Sequence, residues 1–195
     1  MRLGFTCALA LIATAWPAAA APAALTIVLD FEGPHSDRSV AAMKQELEHL
    51  VSETPIRVEW RSKAEIASAP ADNLVVFRFK GKCVLEPVGY LYDERGPLAF
   101  TYSTSGDVQP FSEVACDRVA ALVRSAMRGG DFQRADQLMG RALGRVVAHE
   151  LVHMLSKSGT HGREGVAKPA LSGAQLISPN LRLEPGDLER IYTNP

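Results

Sequence analysis

His149-Glu150-Leu151-Val152-His153 lies near the end of a proline-free run, residues 132–157, and the reading of these five residues decides how the rest of the chain is organised. Along the run, Leu138, Ala142, Val146, His149 and His153 recur at helical spacing, with Leu143, Val147, Leu151 and Leu155 as an adjoining apolar row. Gln133, Arg134, Asp136, Arg141 and Arg145 read as the polar remainder of this helix. Positions four apart lie on one helical face, so His149 and His153 aim their imidazoles at one point. Two neutral imidazoles suit Zn²⁺, and a catalytic zinc takes one more protein ligand and a water. Glu150 stands one residue past the first histidine, within reach of that water. Zinc lowers the water's pKa to about 7, which makes Glu150 the candidate general base. The competing reading is accidental spacing on a charged helix that binds nothing. Burial weighs against it, because an apolar helix with two histidines and a glutamate strands costly polar groups unless a metal engages them.

After Leu155 the chain reads Ser156-Lys157-Ser158-Gly159-Thr160-His161-Gly162-Arg163-Glu164-Gly165. Gly159 is the expected left-handed residue that ends the helix. The chain then turns back and brings His161 to where a third ligand is needed. Glu164 competes with it, since two histidines and a glutamate also form a known zinc set. A third reading leaves His161 as an exposed loop residue and neither as a ligand.

The run from His149 to His161 resembles the metzincin clan of zinc metallopeptidases, whose pattern is HExxHxxGxxH. His149, Glu150 and His153 match it; the pattern's glycine falls on Ser156 and its third histidine on Gly159, two residues before His161. The clan also carries a methionine in a turn beneath the metal, and no methionine follows Met154 here. The resemblance implies a zincin-like α/β (α+β) fold, a twisted mixed sheet packed on helices with HExxH on the active-site helix. It implies one Zn²⁺ per chain on His149, His153 and His161, and a peptide or protein as substrate. It further implies an edge strand above the metal that receives extended peptide by strand addition, for which residues 98–103 are the candidate.

The chain opens with Arg2, an apolar run over residues 3–16, Pro17 and Ala18-Ala19-Ala20. This is the layout of a secretory signal peptide, expected to span residues 1–20 and to be removed on export. The apolar core is shorter than the roughly 20 residues that span a bilayer, which disfavours an uncleaved anchor. The expected protein is therefore secreted or periplasmic, with one domain over residues 21–195 and no membrane association after cleavage. Cys7 goes with the signal. Cys83 and Cys116 remain, and in an exported chain such a pair invites a disulfide, with free buried thiols as the alternative. A formal net charge of −1 and a pI near 6.5 give no indication of nucleic-acid binding.

Upstream, residues 25–31 read as a buried strand, and Ser36 or Asp37 caps a helix in which Val40, Met43, Leu47, Leu50 and Val51 share a face. Residues 56–60 and 74–79 read as further strands, giving a crossover unit with a mostly parallel sheet. Asp30, Glu32 and His35 read as strand-end and cap residues in preference to a metal cluster. Strands near residues 88–93 and 98–103 are expected to form a hairpin at the sheet edge. Val114-Ala115-Cys116 then leads into a helix capped by Asp117, and Gly129-Gly130 turns into the HExxH helix. The function expected is zinc-dependent endopeptidase, with Lys168 either an oxyanion donor or a surface lysine. The alternative is a non-catalytic exported zinc-containing binding or scaffold domain, in which the metal has no open coordination position.

Overall fold

The computed structural model describes residues 23–86 and 96–193. It is a mixed α/β structure: a five-stranded sheet in the order β2-β1-β3-β5-β4, whose strands share one hydrophobic core with the helices. The strands are β1 (Ala23–Phe31), β2 (Ile56–Arg61), β3 (Leu74–Lys80), β4 (Ala99–Thr104) and β5 (Asp107–Ala115). β1 pairs in parallel with β2 and β3, and β3 with β5; β4 runs antiparallel to β5 at the edge. The expected crossover unit is present, its first helix α1 (Asp37–Leu50) capped by the Ser36 side chain on the Ser39 amide. α2 (Lys63–Ser68), a short helix with a Ser62/Glu65 capping box, was not anticipated.

The sheet edge carries a hairpin of β4 and β5, while the expected pairing of residues 88–93 with residues 98–103 falls partly outside the described residues. β4 pairs with β5, where the sequence reading recognised only Val114 and Ala115, because residues 107–113 alternate weakly and carry Pro110. The turn between them is Ser105-Gly106, both with positive φ (55° and 92°), the twist a two-residue hairpin turn requires. The expected strand at residues 88–93 and the signal peptide lie outside the described residues. α3 (Cys116–Ala126) begins directly after β5 with no side-chain cap. Asp117 does not cap it; its carboxylate accepts from the Lys82 amide instead. Cys83 and Cys116, both buried, are disulfide-bonded with Cα atoms 4.7 Å apart.

Gly129-Gly130 opens a 3₁₀ turn, Gly129–Arg134, that takes in Phe132 and leads into α4 (Ala135–Ser156). α4 is buried on nearly every side, between α1, α3, the strands β4 and β5, and the short C-terminal helices α5 (Gly173–Ile177) and α6 (Pro185–Thr193). Glycines make its tightest contact possible: a Cβ on Gly144 would stand 2.8 Å from the Glu46 Cβ and the Met43 carbonyl of α1. Arg145, expected on the polar surface, is only 1% exposed. Its guanidinium donates to Glu46 at 2.8 Å and to the Gln175 and Leu176 carbonyls, so the buried charge is paired and hydrogen-bonded. Burial lowers the Arg145 pKa, with Glu46 acting against the shift. Among the described residues no helix is long and apolar enough to cross a membrane.

Candidate metal centre

α4 presents His149 and His153 one turn apart, and the chain leaving it supplies the rest of the site. Lys157, not Gly159, takes the left-handed conformation (φ 50°) that ends the helix. Ending two residues earlier changes the path of the return segment and lets His161 fold back over the last turn. His149, His153 and His161 converge, each offering a ligand atom within 4.8 Å of the others. Glu164 is exposed and stands outside this group. Asp30, Glu32 and His35 form no such group either: Asp30 pairs with Lys63 and Arg78, which hold its pKa down, while Glu32 lies near Arg78.

The hydrogen bonds fix which nitrogen faces the cluster. His149 Nδ1 lies 2.9 Å from the Val166 carbonyl and His153 Nδ1 2.7 Å from the Ser158 carbonyl. A carbonyl only accepts, so both Nδ1 atoms carry the proton and both Nε2 atoms present lone pairs in the neutral rings. Those two Nε2 atoms face each other at 3.2 Å. Two acceptors at that distance repel unless a cation stands against both. Nitrogens bound at about 2.0–2.1 Å in a tetrahedral zinc site are about 3.3–3.4 Å apart, so the donor set fits the ion. The carbonyls of Val166 and Ser158 serve as the outer partners that orient such ligands.

Electrostatics favour the neutral form of His149 and His161. Burial lowers the His149 pKa to about 4, opposed by the Val166 hydrogen bond and reinforced by the two neighbouring histidines. The more exposed His161 is also lowered, by burial and then by His153 and Arg190. Glu150 is buried, 4% exposed, and burial raises its pKa. The Thr101 hydroxyl of β4 donates to Glu150 Oε2 at 2.7 Å and partly offsets that rise.

A cleft of about 650 Å³ opens beside the three histidines and Glu150, lined also by Leu98, Phe100 and Thr101 and by Lys168 to Leu171. Lys168 therefore lines the cleft, half-buried, and is not confined to the outer surface. β4, the expected edge strand, does border it. Sequence reasoning did not single out Thr101, although its parity on β4, opposite to exposed Phe100 and Tyr102, marks it as inward-facing. The Val166 and Ser158 carbonyls carry no side-chain signal. No protein-family model matches this chain, and no curated protein is similar enough to be matched to it.

Proposed function

We propose that this protein is an exported zinc-dependent endopeptidase with a zincin-like, metzincin-related architecture. The observation that carries the reading is the pair of Nε2 lone pairs turned on each other at 3.2 Å, with both Nδ1 positions already committed to carbonyls. His149, His153 and His161 would hold the ion, which when bound supplies a Lewis acid for a peptide carbonyl and lowers the pKa of water at the site. Glu150 takes up a proton at its carboxylate and later returns it to the leaving amine. A raised pKa suits a group that must accept and release a proton near neutrality. Thr101 holds the carboxylate in one orientation across the base of the cleft. The outer edge of β4 has no strand partner among the described residues, and its backbone can pair with an extended peptide laid along the cleft.

Open access beside the histidines supports catalysis over a closed scaffold site. The deciding experiment is metal analysis of the purified mature protein together with digestion of a peptide library with and without chelator. About one zinc per chain and chelator-sensitive cleavage are expected. Zinc without cleavage of any peptide would transfer the protein to the binding-domain reading.

A further inference from the structure

The three histidines are not held in the same way. His149 and His153 belong to a buried helix, and each ring is oriented by a carbonyl at its Nδ1. His161 lies on an exposed loop, and among the described residues its ring makes no hydrogen bond. A ligand on a loop contributes fully only if the backbone beneath it is ordered beforehand. The order here comes from α6, which is hydrogen-bonded to the residue before His161 and packs a side chain beside the residue after it. Arg190 Nη1 donates to the Thr160 carbonyl at 2.9 Å. The Arg190 Nη2 donates to the buried Asp187 carboxylate at 2.5 Å. That carboxylate lies beside Gly162, where an added Cβ would come within 2.9 Å of Oδ1, so only glycine leaves it room. The Gly162 amide in turn donates to the Ala167 carbonyl, next to the Val166 carbonyl that orients His149.

We propose that Arg190, braced by Asp187, is the positioning residue for the third metal ligand, setting His161 through the backbone of Thr160, its neighbour. The inference rests on the reading of the three histidines as a metal site. It accounts for how a ligand displaced by two residues from the HExxHxxGxxH spacing is kept in place: a distant helix does what a shorter turn would otherwise do. The planar fork of arginine is suited to the task, because one guanidinium reaches the carbonyl and the carboxylate together.

The test is zinc affinity, measured by competition with a chromophoric chelator, on wild type, Arg190→Ala, His161→Ala and the double variant. Losing an outer partner of a metal ligand typically weakens binding 10–100-fold, so Arg190→Ala should bind zinc about tenfold more weakly than wild type. In the His161→Ala background the same substitution should change affinity by less than about twofold, because the ligand it acts through is gone. Visible absorption of the cobalt(II)-loaded protein should move toward that of His161→Ala. Arg190→Lys, which keeps the charge and one donor, should recover part of the loss and covers the case in which the alanine variant does not fold. Equal losses in both backgrounds, or wild-type affinity in both Arg190 variants, overturn the proposal. Wild-type protein that binds no zinc overturns the metal-site reading itself, an outcome distinct from either.

Discussion

The Thr101 hydroxyl donates to Glu150 Oε2 at 2.7 Å, joining the edge strand β4 to the middle of the HExxH segment on α4. The bond favours the ionised carboxylate, so removing it should push the Glu150 pKa further up. Thr101→Val keeps the shape and deletes the donor. The acidic limb of the kcat/KM profile for peptide cleavage should move to higher pH, and activity near neutrality should fall about tenfold, the scale of one hydrogen bond to a charged group. An unmoved limb would remove Thr101 from the catalytic apparatus.

Glu150→Gln should separate catalysis from metal binding. The substitution keeps size and removes the basic carboxylate, which is not among the converging ligand atoms. Zinc content should stay at the wild-type level while casein hydrolysis drops by at least about a hundredfold. Wild-type cleavage by the variant would mean another group is the base.

His161→Ala and Glu164→Ala test the third ligand directly. Because His161 joins the cluster and Glu164 stands outside it, the first should greatly weaken zinc binding and the second leave it unchanged. Equilibrium dialysis of both variants decides the assignment, and a reversal of the two results would reassign it.

The metal-free protein should lose stability in mildly acidic solution. Folding lowers the His149 pKa from 6.5 to about 4, chiefly by burial, so between those values the unfolded chain takes up a proton that the native state refuses. Stability is fully present above the upper value, declines as pH falls through the window, and changes no further from this group below it. The whole window is worth on the order of 3 kcal/mol. Urea midpoints of chelated protein should show the decline, and His149→Asn should flatten it.

The Cys83–Cys116 bond closes a loop that contains β4 and β5, and so the cleft wall carrying Thr101. Replacing both cysteines by serine should destabilise the protein by about 3–4 kcal/mol in the chain-entropy account. Denaturant titration measures the loss. Two freely alkylated thiols in unreduced native protein would show instead that the bond does not form.

Much of this was legible along the chain, wherever the deciding interaction is local. Helical spacing put His149 and His153 on one face, alternating or apolar runs marked β1, β2 and β3, and Ser36 or Asp37 signalled the start of α1, of which Ser36 is the cap. Each depends on neighbours within a turn or a strand, which a sequence displays directly. The sequence left His161 and Glu164 as rivals, because the two lie three residues apart on the same loop and both ligand types suit zinc.

Tertiary structure decided what depends on partners remote in sequence. Arg145 looked like surface until α1 and the carbonyls of α5 enclosed it, since only burial on every side of α4 shows that its charge needs Glu46. The β5 strand was hidden because its pairing with β3 and β4, more than its own alternation, makes it a strand. His161 was placed by helix termination at Lys157 and by the hydrogen bond from Arg190 of α6 to the Thr160 carbonyl. The chain by itself determined which side chains are candidates for a metal site; long-range packing and backbone carbonyls, which have no side-chain signature, decided where those side chains point.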